Sequence, residues 1–249
     1  MGKGTLWGMI DAQPIYFPAV VDELNAATLV FPVPVEAARA QVPEGDFEVV
    51  ESHPGVAHLI ITAHDYIKGE WGTCETLDLG FRVRPAGAPD ETMGLFLCPT
   101  PMRQSFGREA AHRALGFPKT DGDIDVSYGD GEVTFTHTVD PSADGAPDIV
   151  LRLPRVQPSA PPAPVAVVAY TYTDGEPKMA PFTLTMPIGV LEPASVVLEL
   201  GTSPLAETLR DLGLPREPDL ALWGEGASAV FHLPAPIRAV RTAREAQGT

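Results

Sequence analysis

The chain has 249 residues, of which 44% are hydrophobic, enough to bury a sizeable core. Its 17 basic and 33 acidic side chains give a formal net charge of −16, which repels phosphate backbones and anionic lipid surfaces. We therefore expect no nucleic-acid partner and no membrane partner, and, because no apolar run is long enough for a signal peptide or a bilayer span, a cytoplasmic protein.

Most apolar runs are short and rich in β-branched residues, which is the pattern of strands. They cover residues 26–32, 56–63, 134–139, 165–173, 182–191 and 227–233. Asp-Gly pairs within 127–132 and 172–177 supply the positive φ that tight hairpins need. The sequence therefore predicts a strand-dominated fold with antiparallel hairpins.

Three segments carry helix signals. Residues 34–42 have a proline near their start, residues 105–115 are rich in alanine, and residues 203–213 open with Ser-Pro and close on glycine. The proline-rich stretch 157–165 separates strand patterns that look alike. We therefore predict that it is a surface loop inside one domain, residues 1–249, and not a linker between two.

Two candidate metal sites fail on inspection. Asp121, Asp123 and Asp125 have the spacing of a calcium loop, but Val126 stands where such a loop requires glycine. His58 and His64 share one face of a predicted strand without a third ligand at a suggestive spacing. Nucleotide-binding glycine patterns and the Gly-x-Ser-x-Gly motif are absent from the sequence as well. We expect neither a metal nor a cofactor.

The stretch ALGFPKT, residues 114–120, holds one of only four lysines in the chain. A lysine that follows a helix end is usually a solvated surface group. Its surroundings, however, resemble the acetoacetate decarboxylase family, whose Schiff-base lysine follows a helix and a Gly/Ala-aromatic-Pro segment. Phe117-Pro118-Lys119 matches that segment, and the resemblance therefore implies that Lys119 is the nucleophile.

The resemblance extends over nearly the whole chain. Residues 64–83 are similar to the family stretch that carries an active-site glutamate, which falls on Glu75, and the segments 168–186, 203–214 and 227–237 follow in the family's order. It implies an α+β, β-dominated fold: a cone-shaped antiparallel β-barrel with a few flanking helices and an interior pocket. It also implies a homo-oligomer.

Upstream of Lys119 two alignments compete. One sets His112-Arg113-Ala114 near the family's Gly-Arg-Glu almost without a gap, and the other matches Gly107-Arg108-Glu109 literally but requires an insertion of about one helical turn. We prefer the first. Arg113 then becomes a candidate cation near Lys119, and Arg103 is a second one.

Imine chemistry needs a free amine, which an ordinary lysine with a pKa of about 10.4 offers in only about one molecule in 2,500 at pH 7. The family usually supplies a second lysine directly after the first, and this chain has Thr120 there. Burial in an apolar barrel, with Arg113 or Arg103 as a substitute cation, would have to favour the free amine instead.

The two remaining departures from the family concern the substrate. The family's basic residue for the substrate carboxylate falls around Leu24, and its second acidic residue falls at Ile60. Such a pocket suits larger, less charged carbonyl compounds better than a small β-keto acid. Asp78 lies three residues beyond Glu75 and therefore on the opposite strand face, and we expect Glu75 to face the pocket, where burial would raise its pKa.

These observations favour an imine-forming lyase of aldolase, dehydratase or decarboxylase type in a biosynthetic pathway. Two alternatives stay open: a non-covalent cyclase or isomerase of a polyketide-type metabolite, and a non-catalytic protein that binds a small molecule. In each case the partner is a small carbonyl or polyketide-like compound. The site residues that we predict are the catalytic Lys119 and Glu75, and the substrate-binding Arg113, Arg103, His64 and Phe117.

Overall fold

The computed structural model describes residues 4–139 and 147–237. Its strands in the first half of the chain are β1 (Thr5–Ile10), β2 (Gln13–Phe17), β3 (Ala19–Pro34), β4 (Phe47–Val49), β5 (Glu51–His53), β6 (Val56–Gly69), β7 (Cys74–Pro85), β8 (Gly94–Leu97), β9 (Thr100–Met102), β10 (Lys119–Asp121) and β11 (Asp123–Tyr128). Those in the second half are β12 (Glu132–Thr138), β13 (Ile149–Pro154), β14 (Ala160–Thr173), β15 (Glu176–Val190), β16 (Val197–Leu200), β17 (Leu220–Phe231) and β18 (Ala235–Pro236).

Seven of these strands close a barrel in the order β7, β8, β14, β15, β17, β3 and β6, because β6 also pairs with β7. All neighbouring strands in this ring are antiparallel except β8 and β14. These two run parallel where Ala169 pairs with Leu95 and Tyr170 pairs with Phe96. The β-dominated barrel predicted from the resemblance is confirmed, with this one parallel pair added. Parallel pairing follows here because a long crossover, and not a hairpin, connects β8 to β14.

Each predicted strand overlaps an observed one, and the predictions 134–139, 182–191 and 227–233 extend one or two residues beyond it. The Asp-Gly turns join β11 to β12 and β14 to β15, both antiparallel. The proline-rich stretch 157–165 was expected to be a loop, but β14 already begins at Ala160 and runs through it. Pro161, Pro162 and Pro164 are tolerated there because this half of β14 pairs only with β15, so that its other edge is free.

The strands of the barrel have an outward face that packs in a core and an inward face that lines the interior. Along β6 and β7 the side chains of Leu59, Ile61, Leu77 and Leu79 point outward and are almost completely buried. They share one apolar core with the four-stranded sheet of β11, β12, β13 and β16, which covers this side of the barrel. The alternate residues point inward, as the two-residue period of a strand requires. The inward face therefore remains for a cavity.

The three predicted helices are present in shorter form. They are α1 (Val35–Arg39), α2 (Ser105–Ala110) and α3 (Pro204–Asp211), with short 3-10 turns at Asp90–Thr92 and Pro193–Ser195. At the start of α3 the Ser203 hydroxyl accepts a hydrogen bond from the Ala206 amide at 3.2 Å, and Pro204 occupies the first turn. No helix in the described ranges is long and apolar enough to cross a membrane.

Helix α2 continues as one π-helical turn, Ala111–Leu115, which ends at Gly116. Gly116 has φ +74°, and a Cβ there would lie 2.7 Å from the Thr173 hydroxyl and 2.9 Å from the Thr171 hydroxyl. Only glycine fits a left-handed residue packed this closely. This turn redirects the chain into β10 and so determines the position of Lys119, the first residue of that strand.

Gly116→Ala tests that turn. We expect the free energy of unfolding to fall by about 2–4 kcal/mol, because backbone strain and steric overlap with β14 add together. Gly131→Ala is the matched control, since Gly131 also has positive φ but has nothing within 4 Å of its Cβ position. That variant should lose only about 1 kcal/mol. Equal losses in urea unfolding would show that packing against β14 does not constrain Gly116.

Candidate functional site

A cavity of about 330 Å³ lies inside the barrel. The apolar part of its wall comes from β3, β8, β14, β15 and β17 together with the α2 segment, including Leu24, Leu97, Val167, Leu184, Met186 and Phe231. Most of its polar residues are inward residues of β6 and β7, joined by Lys119, by Thr28 of β3 and by Glu70 just after β6. A cavity of this size and character is typical of a site for a small organic molecule.

Lys119 reaches the cavity because β10 runs parallel to β9 and sets Lys119 beside Thr100. The Pro118 carbonyl accepts a hydrogen bond from the Thr100 amide at 3.1 Å, which fixes the approach of the two strands. The Lys119 side chain is only 4% exposed. Lys119 therefore points into the cavity.

The Lys119 amine donates to three oxygen atoms. It forms an ion pair with Asp78 Oδ1, lies 2.6 Å from Thr76 Oγ1, and lies 3.4 Å from Thr100 Oγ1. The Thr76 hydroxyl in turn donates to the Pro101 carbonyl at 3.2 Å. An ammonium group has three N–H donors and no acceptor, so this arrangement satisfies each donor in turn. The resting site therefore matches a protonated lysine.

Asp78 lies between Lys119 and His64. The His64 Nδ1 atom is 3.3 Å from Asp78 Oδ2, but it does not meet hydrogen-bond geometry and has no other hydrogen-bond partner among the described residues. Burial by itself would raise the pKa of Asp78, but the charge of Lys119 and the neighbouring imidazole outweigh burial and hold this pKa well below its usual range. Asp78 is therefore ionised at neutral pH.

Glu75 does not face the cavity. The inward residues of this strand are Cys74, Thr76 and Asp78, whereas Glu75 lies on the opposite face near Arg103. Partial burial does raise the pKa of Glu75, but on the outer side of the wall. Glu75 and Asp78 lie on opposite faces of the strand, as the sequence predicts, but the prediction that Glu75 faces the cavity is wrong, because Asp78 is the residue that faces it.

The two candidate arginines also lie outside the cavity. Arg103 is 46% exposed and pairs with Asp123 at 2.9 Å, and Arg113 is 49% exposed and lies 3.5 Å from Glu109 on the same helical segment. Each arginine therefore interacts with a surface carboxylate and not with Lys119. Lys119 is the one lysine or arginine among the described residues that line the cavity.

The other two predicted residues, His64 and Phe117, do line the cavity. Phe117 packs edge-to-face on Phe231, with ring centroids 6.3 Å apart. Tyr66 and Cys74 complete this part of the wall, and burial raises the pKa of both, that of Cys74 to about 12. Both side chains therefore stay neutral, so that the Cys74 thiol is not a nucleophile.

Sequence reasoning missed the role of Thr76, Thr100 and Asp78. Thr76 and Asp78 are two residues apart on one strand, and this polar pair amid apolar neighbours was a usable signal. Thr100 carried no such signal, because its contact with Lys119 depends on the parallel pairing of β9 with β10.

The low pKa of Asp78 predicts how stability depends on pH. Because the unfolded value is about 3.9 and the folded value is lower, ionised Asp78 contributes stability that is fully present above about pH 5 and is lost as the pH falls below about 4. Urea unfolding between pH 7 and pH 2.5 should show that Asp78→Asn loses less stability in acid than the parent chain. The exposed Asp211→Asn is the control and should follow the parent; if Asp78→Asn also does so, the ion pair contributes nothing.

The fold has solved counterparts, whereas no protein-family model and no curated protein sequence matches the chain. An acetoacetate decarboxylase from Legionella pneumophila subsp. pneumophila str. Philadelphia 1 is 12% identical over 96% of this chain and 97% of its own, with a TM-score of 0.65. A second acetoacetate decarboxylase structure is 14% identical over 90% of each chain, with a TM-score of 0.60. The enduracididine biosynthesis enzyme MppR, complexed with pyruvate, is 13% identical over 95% of this chain and 98% of its own, with a TM-score of 0.57. This chain therefore has the fold of acetoacetate decarboxylase and related enzymes, which confirms at the level of fold the resemblance inferred from its sequence.

Proposed function

We propose that this protein is a lyase that binds a carbonyl compound covalently as an imine of Lys119. The observation that carries this proposal is a buried lysine, paired with a buried carboxylate, at the end of an apolar cavity. The enzymes that share the fold support it, since MppR is described in complex with pyruvate and with a condensation product of pyruvate and imidazole 4-carboxaldehyde. Both small molecules derive from carbonyl compounds.

The first step is proton transfer within the ion pair. A carbonyl compound that enters the cavity removes water from around Lys119 and Asp78, and burial disfavours the charged form of each group. One proton then passes from the Lys119 ammonium to the Asp78 carboxylate, leaving a neutral amine beside a neutral acid. The amine nitrogen attacks the carbonyl carbon, the carbonyl oxygen takes the proton of Asp78, and the Asp78 carboxylate takes the surplus proton of the nitrogen, which gives a neutral carbinolamine beside a neutral acid.

The second step is loss of water. Asp78 donates its proton to the carbinolamine hydroxyl, water leaves, and the nitrogen becomes a cationic iminium with the Asp78 carboxylate as its counterion. For a β-hydroxy ketone, the same carboxylate then accepts the hydroxyl proton while the bond between the α and β carbons breaks. The electron pair of that bond moves into the iminium and gives an enamine, which is protonated and then hydrolysed.

We propose that His64 holds Asp78 in position during these steps. Its ring lies beside the carboxylate oxygen that does not contact Lys119, and its other neighbour is Tyr66, with ring centroids 5.5 Å apart. We assign it to orienting the carboxylate and not to attacking the substrate. Glu75, which faces away, takes no part in the proposed reaction.

The remaining expectations stand as proposals. We propose that residues 1–249 form a single domain acting in the cytoplasm as a homo-oligomer in a biosynthetic pathway. Large apolar side chains exposed on the surface support association of copies, among them Leu6, Met9, Val165 and Val190.

A non-covalent cyclase of a polyketide-type compound is the second candidate. It is favoured by the three hydrogen-bond acceptors that hold the resting Lys119 amine.

Borohydride trapping tests the covalent step. The protein is incubated with pyruvate or with 4-phenylbutan-2-one, reduced with borohydride, digested and analysed by mass spectrometry. We expect a secondary-amine adduct on Lys119 with at least one of these compounds. Lys119→Met should abolish the adduct, whereas Lys178→Met should retain it, because Lys178 pairs with Glu176 away from the cavity.

Turnover separates the two candidate functions. If no carbonyl compound gives an adduct on Lys119, or if Lys119→Met retains full turnover of a substrate, the imine mechanism is wrong and the non-covalent cyclase becomes the better account. Circular dichroism of Lys119→Met checks that the fold is intact, since methionine replaces the amine with an apolar side chain of similar length.

The identity of the working carboxylate gives a further prediction. Cleavage of 4-hydroxy-4-phenylbutan-2-one to acetone and benzaldehyde can be followed by benzaldehyde absorbance. Asp78→Asn should slow this reaction by about 10²–10⁴-fold, because it removes the group that accepts and returns the proton. Glu75→Gln, the matched control on the opposite strand face, should leave the rate near that of the parent chain. Equal loss in both variants would contradict the assignment.

A further inference from the structure

We propose that the cavity takes an uncharged carbonyl compound with an apolar, aromatic-sized tail, and that it rejects keto acids. The carbonyl part of this inference rests on the proposed function, whereas the tail and the missing charge rest on the cavity wall alone. The two parts can fail separately, and the experiment below distinguishes them.

The charges around the cavity are unfavourable for an anion. Among the described residues, those lining it carry one fixed positive charge, on Lys119, and two carboxylates, those of Asp78 and the exposed Glu70. The positive charge is already neutralised by Asp78 in the ion pair. A carboxylate on the substrate would therefore lose its hydration without gaining a partner, which is costly in an apolar site.

Four inward residues of β3 and β6 that line the cavity are apolar or hydroxyl-bearing, namely Leu24, Thr28, Ile60 and Thr62. The imidazole of His64, which also lines the cavity from β6, lies 3.3 Å from the Asp78 carboxylate. Arg103 and Arg113 lie on the surface, paired with other carboxylates. Among the described residues that line the cavity there are thus hydroxyl groups, which suit a neutral oxygen, but no lysine or arginine besides Lys119.

An aromatic cluster lies on the side of Phe117, two residues before Lys119. Phe182 stacks on Phe231 with ring centroids 5.2 Å apart, Phe231 stacks on Trp71 at 6.4 Å, and Phe117 meets Phe231 edge-on. All four side chains line the cavity. Such rings contribute large apolar area and favour a further ring in stacked or edge-on contact. An aryl group or a comparably sized apolar tail therefore fits beside the reactive amine.

An apolar tail would also assist the chemistry. The resting pair is ionic, and imine formation requires the neutral amine. A tail that displaces water from the cavity lowers the local polarity and so favours the neutral amine and acid over the ion pair. A hydrated keto acid would bring water and a second negative charge, both of which favour the ammonium form.

Calorimetric binding tests the inference without relying on turnover. The probes are 4-phenylbutan-2-one and its charged counterpart 4-(3-oxobutyl)benzoate, with pyruvate as the small keto acid. We expect the neutral ketone to bind at least about 100-fold more tightly than either anion, because a carboxylate would be buried without a partner. The same titrations with Lys119→Met report binding when no imine can form.

Two pairs of variants locate the effect. Thr28→Arg places a cation in the cavity and should tighten binding of 4-(3-oxobutyl)benzoate by about tenfold, whereas Thr183→Arg, on the outer face of β15, should not change it. Phe182→Leu should weaken binding of 4-phenylbutan-2-one by about 3–10-fold but leave that of hexan-2-one little changed. Phe135→Leu, in the core outside the barrel, is its control.

The outcomes separate the inference from the proposed function. Tight binding of the neutral ketone with no adduct on Lys119 supports the inference and refutes the imine mechanism. An adduct with pyruvate together with binding of the anions equal to that of the ketone supports the imine mechanism and overturns the inference. Absence of binding by the neutral ketone in both the parent chain and Lys119→Met overturns it as well.

Discussion

The buried ion pair between Lys119 and Asp78 is the interaction on which the arrangement of this site depends. A lysine only 4% exposed cannot keep its charge without acceptors, and losing one partner of such a pair typically costs about 3–5 kcal/mol. Two strands supply those acceptors, since β7 provides Thr76 and Asp78 and β9 provides Thr100, and a third strand, β10, carries the lysine itself. The register of these strands therefore determines which acceptors Lys119 has, and the proposed imine chemistry depends on those acceptors.

The same register explains the division of the barrel wall. The outward residues Leu59, Ile61, Leu77 and Leu79 of β6 and β7 belong to the core shared with the four-stranded sheet, so that at this level of the wall polar side chains lie on the inward face, where they contact one another and the cavity. A polar residue facing that core would lie buried without a partner. The concentration of Thr76, Asp78 and His64 on one inward patch thus follows from packing as much as from chemistry, and it leaves the remaining walls apolar.

Periodicity, Asp-Gly turns and helix-capping residues are local signals, and they predicted the strands, the hairpins and the three helices. The barrel and the inward direction of Lys119 were implied by the resemblance to the acetoacetate decarboxylase family. The sequence did not determine which strand face is inward. A period of two residues predicts that side chains alternate between the two strand faces, but it does not say which face points into the barrel. Without the fold, the inward face was assigned to Glu75, whereas Asp78 lies on it. The parallel pairing of β9 with β10 joins segments separated by the whole α2 region, and no local pattern indicates it. For the same reason Thr100 could not be identified. The proline-rich half of β14 resembled a loop, because prolines are tolerated in a strand with an unpaired edge and the pairing of β14 cannot be read from its own sequence.

The absence of a second lysine after Lys119 acquires a physical reason in this structure. Thr120 is exposed and Lys119 is nearly buried, as expected for neighbouring residues of the short strand β10, which alternate between faces. A lysine at position 120 would extend into solvent, where its charge is screened, and would lie outside the cavity. The amine here has a carboxylate neighbour in place of a cationic one, and the carboxylate favours the ammonium form until water is removed. In the proposed mechanism, activation of this lysine therefore depends on what fills the cavity, so that the apolar wall contributes to the proposed reaction as well as enclosing the substrate.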